Sequence, residues 1–462
     1  MTMFAGDVIA RFEMKTPLTV QSRVLLEYAL APDKLNAVFR KAAITQYQKE
    51  LLFSTLIDVM TDVVLTTRPS VHQSFHARRK EIPVSIAALY TKLNLTETGT
   101  SEALIRHSYQ QLQPVVDAMD ARMPGWVAGY EVKIIDGNCV ASTEHRLDVL
   151  RTTNAGALPG KGLAIYDASR DLIEECILCE DGHAQERSLF GLWLEKVKSG
   201  QLWINDRNFC TAGALFGIHD RGARFVTRQH ATNAPWEEAG PRRSIGRIET
   251  GQVYEQAVNL LEEGGRKLLV RRVTLALDVP TRDGETELHI LTDLTEEELD
   301  GCGVAELYRR RWTLEVAFLH LALDLRSEIN TLGYPGAALL GFAVGVVMYN
   351  VVSTMKASVR AEYGQQAVEQ ISTYGVAKDI AATASGMMVA LPPEVWHDVG
   401  MWSSQQVGTY LRRLARQVDL VRFKKATRGP KKPATPRTAF PGKNHVSTAQ
   451  LLDASRKGEK AP

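Results

Sequence analysis

Apolar residues recur three and four positions apart through the first quarter of the chain. After Asp33, a plausible N-cap, Leu35, Val38, Phe39 and Ala42 fall at helical spacing, and Leu51, Leu52, Leu56, Met60 and Val63 continue an apolar face. Two more helical stretches run from Ser85 to Leu93 and from Glu102 to Met119, with the basic cluster Arg78-Arg79-Lys80 before the first. At Tyr130 the texture changes to short apolar runs. Val132–Asp136, Leu163–Asp167 and Leu172–Cys179 read as strands. A helix is predicted over Ala184–Lys198, where Leu189, Leu192, Trp193 and Val197 share a face and Gly200 ends it. Then come a strand at Leu202–Asp206, a short helix at Thr211–Ile218 and a strand at Arg224–Arg228.

Three strands, helix, strand, helix, strand is the order of an RNase H-like α/β fold. In that fold metal-binding acids stand at the ends of the first and fourth strands, and a last acid lies on a later helix. Asp136 and Asp206 occupy the strand positions, and Glu315 lies on a helix expected over Val304–Asp324. Asp167 also ends a strand, but Ala168-Ser169-Arg170 follows it like a plain turn. Residues 229–300 have β texture, with strand-like Leu268–Leu277 and Glu287–Leu291, and Pro241 and Gly251 marking loops. The expected division is a helical N-terminal DNA-binding domain at 1–125 and an RNase H-like catalytic core at 126–228 and 301–360. A β-rich insertion at 229–300, a C-terminal helical region at 361–420 and a basic, flexible tail at 421–462 complete it. No internal repeat is evident.

Composition sharpens this picture at the tail. The whole chain has 462 residues, with 55 Lys and Arg against 53 Asp and Glu. From Val421 onward there are 11 basic residues and 2 acidic ones, so the mildly acidic body carries a strongly basic end. Such a tail favours a polyanionic partner, although a merely solvated tail has the same composition. Five scattered cysteines do not make a disulfide framework, and Cys176-Ile-Leu-Cys179 lacks the second pair that a zinc site needs. The N-terminus lacks the unbroken apolar stretch of a secretory signal. Ala337–Val352 is shorter than a bilayer span and is interrupted, with its flank, by Gly341, Gly345 and Asn350, so a buried core helix is expected instead of a membrane segment. The expected location is cytoplasmic.

Phosphodiester chemistry explains why three acids would be brought together. Mg²⁺ is a hard ion that takes carboxylate oxygens, and two such ions can activate a nucleophile and stabilise a leaving oxygen. Tyr308, Arg311 and Glu315 are spaced by three and four, as residues on one helix face are. Arg311 is then placed to bind phosphate, and Tyr308 to hydrogen-bond the backbone. An ordinary Arg–Glu helix pair with a half-buried Tyr has the same spacing.

Tyr308-x2-Arg311-x3-Glu315 resembles the first three letters of the Y-(2)-R-(3)-E-(6)-K signature of bacterial insertion-sequence DDE transposases. Ile135-Asp136-Gly137 and Asp206-Arg207-Asn208-Phe209, followed by Phe225-Val226-Thr227-Arg228, resemble the family's two aspartate regions, and Arg326–Pro335 resembles one subgroup. The likeness covers roughly residues 130–450. It implies cut-and-paste DNA transposition by an enzyme with Asp136, Asp206 and Glu315 as ligands to two Mg²⁺ ions, with Mn²⁺ as substitute. It also implies a homodimer on double-stranded DNA, both transposon inverted-repeat ends and target, associated with the bacterial nucleoid. Tyr308, Arg311, Arg207 and Arg228 become DNA contacts. Trp236, in the insertion, becomes a candidate for holding a flipped base. One departure is clear: the signature lysine position holds Ala322. Arg326, eleven residues after Glu315, is expected to replace it partly from further along the helix. Lys424, Lys425, Arg428, Lys431 and Lys432 are expected to bind phosphates without sequence preference. Two other readings share these residues: an RNase H-like nuclease without strand transfer, and a repurposed transposase that only binds DNA.

Overall fold

A computed structural model describes residues 2–281, 284–426 and 445–458. Helices fill the first part: α1 (Thr2–Lys15), α2 (Pro17–Ala29), α3 (Pro32–Ala42), α4 (Phe53–Val64), α5 (Val71–Ala77), α6 (Ile86–Asn94) and α7 (Thr98–Ala118). Several begin where a side chain satisfies a free backbone N–H: Ser70 accepts from Gln73 N at α5, and Ser85 from Ala88 N at α6. Asp33 lies inside the first turn of α3, not at its N-cap, because Pro32 already fits the first helical position.

The strands are β1 (Glu131–Cys139), β2 (Gly156–Leu158), β3 (Lys161–Asp167), β4 (Leu172–Cys179), β5 (Gln201–Asn205) and β6 (Arg224–Arg228). β7 (Trp236–Glu238), β8 (Arg243–Ile248), β9 (Gly251–Leu261), β10 (Lys267–Leu277), β11 (Glu287–Thr292) and β12 (His445–Ser447) follow. Between β4 and β6 lie α8 (Phe190–Leu194) and α9 (Ala212–Asp220). After β11 come α10 (Gly301–Arg309), α11 (Trp312–Leu323), α12 (Pro335–Tyr363), α13 (Gln365–Glu369), α14 (Thr373–Ala390), α15 (Ser404–Ala415) and α16 (Thr448–Lys457).

The chain is mixed α/β around a ten-stranded mixed sheet. Its strand order is β4-β3-β1-β5-β6-β11-β10-β9-β7, with β8 also on β9. β1 is antiparallel to β3 and parallel to β5, and β5 is parallel to β6. Side chains alternate across the sheet, so Val132 and Ile134 of β1 join the core shared with the N- and C-terminal helices, while Ile135 joins a second core with α8 and α9.

Residues 229–300 do not form a separate sheet. β11 pairs antiparallel with β6, so the expected insertion extends the central sheet by hydrogen bonds. The terminal helical regions likewise share one core: α7 packs on β4 and α12, and α2 packs on α14 and α15.

α12 is the one described helix long and apolar enough to cross a membrane, and its apolar stretch is wholly buried in protein. Its polar interruptions have structural uses. Asn350 accepts from Ile173 N at 2.8 Å and donates to Ile173 O at 2.9 Å and Ser108 Oγ at 3.1 Å, joining α12 to β4 and α7. At Gly345 an added Cβ would lie 2.2 Å from Ser327 Cβ, so this glycine lets the segment after α11 cross the helix. Gly345→Ala should destabilise the protein by about 1–3 kcal/mol through overpacking, read from the urea midpoint. An unchanged midpoint would show that the crossing segment yields freely.

Three other expectations change. The helix expected over Ala184–Lys198 shortens to a 3-10 turn at Glu186–Leu189 and the brief α8, since Gly191 weakens its middle. The helix expected over Val304–Asp324 divides at Arg310-Arg311 into α10 and α11. Part of the tail, residues 445–458, is ordered: β12 pairs parallel with β2, and α16 buries Leu451 against Leu150 and Ala157. That apolar face is too short to stand out beside so many charges.

Candidate active site

β1 and β5 run parallel with Ile134 opposite Ile204. Two residues further along, Asp136 and Asp206 therefore stand side by side just past the last β1–β5 residue pair, on the carboxyl side of β5, where open α/β sheets place their ligands. Asp136 lies within β1, not at its end, because the strand continues to Cys139 opposite β3. Asp206 ends β5: its carboxylate accepts from Asn208 N at 2.8 Å and starts a 3-10 turn. Asp136 shares the sheet side of Ile134, and α11 packs on β1 through that same core. Glu315, one turn into α11, is thereby delivered to the aspartates.

Arg311 joins two of the acids. Its Nη1 donates to Asp136 Oδ2 and its Nη2 to Glu315 Oε1, each at 2.5 Å. The guanidinium is buried, and its Nε has no hydrogen-bond partner among the described residues. Burial pushes the Asp136 carboxyl up to about 7. Arg311 opposes that rise, while Asp206 and Glu315 add to it. Tyr308 is buried beside Arg311 with its phenol pushed up to about 12, mainly by burial. The break between α10 and α11 means that Tyr308 and Glu315 do not share one continuous helix face. Even so, the turn keeps both against Arg311, whose N–H donates to Tyr308 O at 3.0 Å.

A fourth acid went unnoticed in the sequence. Glu186 accepts from Asn208 Nδ2 at 3.3 Å and lies so close to β1 that a Cβ at Gly137 would sit 2.1 Å from its Oε1. Burial, then the charge of Asp206, raises its carboxyl above the usual range. Nothing in the polar run Asp181–Arg187 distinguishes this glutamate from a solvated one. Gly137 was the available signal, as a glycine where β1 meets another element.

Arg207 and Arg228 flank Asp206, one following it in the chain and one beside it on β6. Both pair with Glu285. Trp236 lies on the edge strand β7, half-buried, with the Arg272 guanidinium 4.9 Å from its ring centre. Arg326 does not continue the helix of Glu315: α11 ends at Leu323, and Arg326 is exposed with a left-handed φ of 40°. The helical geometry that brought it back toward Glu315 is absent. If the chain cuts DNA, as the resemblance implies, Arg326→Ala should weaken cleavage no more than Arg309→Ala, and a far larger loss would restore its role as the lysine substitute. Lys424 and Lys425 are exposed beside the start of α14, where Lys425 N donates to Gln370 O at 2.7 Å. Arg428, Lys431 and Lys432 lie outside the described residues. Asp167 is structural, buried under Tyr109, Ser169 and Arg170.

Among the described residues, no three His, Cys, Asp or Glu side chains gather closely enough to hold a metal ion as they stand. The donor chemistry nonetheless fits a hard divalent cation, since Asp136, Asp206 and Glu315 offer only carboxylate oxygens. Arg311 supplies the positive charge between two of them. No protein-family model matches the chain, and no curated protein matches it in sequence.

Proposed function

We propose that this chain is a DDE-type DNA transposase with an RNase H-like catalytic core, which binds transposon ends and carries out metal-dependent cleavage and strand transfer. The observation that carries the reading is the placement of Asp136 beside Asp206 on neighbouring parallel strands, with Arg311 joining Asp136 to Glu315 of α11. The order β4-β3-β1-β5-β6, three antiparallel strands continued by two parallel ones, supports the same fold.

Asp136, Asp206 and Glu315 would hold Mg²⁺ or Mn²⁺. When bound, such ions polarise the scissile phosphate and acidify the attacking hydroxyl. Asp206 is fixed for this work by Asn208 N and Asp136 by Gly137 N. Arg311, already neutralising Asp136 and Glu315, carries a planar fork suited to a phosphate. Tyr308 is buried beside this guanidinium and interacts with it. Arg207 and Arg228 are placed to steady the backbone beside Asp206. The partners in this reading are double-stranded DNA and a second copy of the chain on it, in the bacterial cytoplasm.

A second reading has its own observation. Ala322 stands where the signature lysine belongs, and Arg311 ties up two acids, as suits a repurposed transposase that binds DNA without cutting. The deciding experiment incubates the purified chain with its element's terminal DNA and Mg²⁺, Mn²⁺ or EDTA. Nicking at the end in either metal supports the transposase. Tight binding with no nicking in either metal selects the second reading.

A further inference from the structure

Arg228 closes β6 beside Asp206, because Asn205 pairs with Thr227 one residue earlier. Arg207 follows Asp206 directly. The two guanidinium groups thus come from different elements to one place, and both meet a single carboxylate. Glu285 Oε2 accepts from Arg228 Nη2, and Glu285 Oε1 lies 3.7 Å from Arg207 Nη1. Glu285 belongs to the connection between β10 and β11 and is held by its own turn: Thr281 N donates to Glu285 O at 2.9 Å, and Glu285 N to Thr281 Oγ1 at 3.1 Å.

Elsewhere in the same sheet Arg247 pairs with Asp278, but here two arginines from different elements share one carboxylate. The cluster stays reachable, with the Arg207 side chain 52% exposed and that of Glu285 35%. Two oxygens of one anionic group, each taking one arginine, is also how a backbone phosphate is held.

We infer that Arg207 and Arg228 form a subsite for a nucleic-acid backbone phosphate beside Asp206, and that Glu285 fills it as an internal stand-in that nucleic acid displaces. This rests on the DNA-cutting reading and adds a regulated entry to the same site. Glu285 competes with DNA for both arginines, so it lowers non-specific affinity and favours substrates whose other contacts outweigh it. An exposed ion pair contributes little by itself, so the competition is modest and easily reversed.

The test is binding of the full chain to a labelled random-sequence DNA duplex in EDTA, by fluorescence anisotropy over a range of salt, with thermal melts confirming folding. Glu285→Gln and Glu285→Ala should each tighten binding by about three- to fivefold, the worth of an exposed ion pair. Adding Arg207→Ala to Glu285→Gln should remove that gain and lower the slope of log K against log salt by about one. Tightening by alanine but not glutamine would assign the effect to side-chain bulk and overturn the proposal. Wild-type binding that neither substitution changes overturns it alone, leaving the DNA-cutting reading intact. If neither wild type nor variants bind DNA at any salt, both fail together.

Discussion

Asp136→Asn should abolish the proposed metal-dependent nicking and leave the chain folded. The amide keeps the shape and one acceptor oxygen, but it removes the charge that a hard cation needs. Loss of one group that stabilises a transition state costs at least about 10²–10³-fold in rate, so nicking should fall by that factor or more in Mg²⁺ and Mn²⁺. Folding should change little. Burial already pushes the Asp136 carboxyl up to about 7, so near neutral pH its ionised form is scarcely favoured over its neutral one. The thermal midpoint should shift by a few degrees at most. Wild-type nicking by a folded Asp136→Asn protein would remove this residue from the reaction and, with it, the reading of β1.

The largest effect on stability is expected three residues earlier. Lys133 is 1% exposed, and its ammonium donates to Glu131 at 2.8 Å and Glu174 at 2.6 Å, with Asp167 at 3.6 Å. Asp167 has no exposed side-chain surface. Lys133→Met would leave that carboxylate depending on Tyr109, Ser169 and Arg170 alone. Breaking a buried pair from one side costs about 3–5 kcal/mol, which urea unfolding would read directly. Adding Asp167→Asn should recover part of the loss, since the orphaned charge goes too.

The pH dependence follows in sign. Burial alone would raise the Asp167 carboxyl, but Lys133, Ser169, Tyr109 and Arg170 outweigh it and hold the group at about 2. A carboxyl lowered in the folded state stabilises it above the unfolded value near 3.9 and loses that contribution as pH falls toward 2. Lys133→Met should move acid unfolding to higher pH. An acid midpoint equal to wild type would mean that the remaining partners suffice.

Much of this arrangement could be read from the chain because local pattern and burial agree. β3 centres on the apolar run Leu163–Tyr166, and β4 is apolar except for Glu174-Glu175; both are buried along most of their length, so composition and length specify them. The Asp136 and Asp206 stations were visible because each follows such a run. The partners were not. Arg311 bonds Asp136 across 175 positions, and Glu285 meets Arg228 across 57, distances over which periodicity carries no information. The break before α11 was hidden for another reason. Tyr308, Arg311, Trp312 and Glu315 all tolerate helix, and only packing decides that the backbone turns at Arg310. β8 and β9 are hard to read because Arg243, Ser244 and Arg247 make β8 polar, and Gln252, Glu255 and Gln256 interrupt the apolar alternation of β9. Glu255 is nevertheless buried by its bond to Arg271 Nη2 at 2.6 Å.

The seam between β6 and β11 also governs what can be done with this chain. Three residue pairs join them, Val226–Thr292, Thr227–Leu291 and Arg228–Ile290. A truncated chain lacking residues 229–300 would not keep the candidate site on an intact sheet. It would present β6 as a naked edge, its ladder groups open to any extended peptide, and self-association would be its natural fate. Grafting those residues onto another scaffold should fail for the mirror reason. Any attempt to divide the protein into working parts would do better to keep all ten strands together and cut elsewhere.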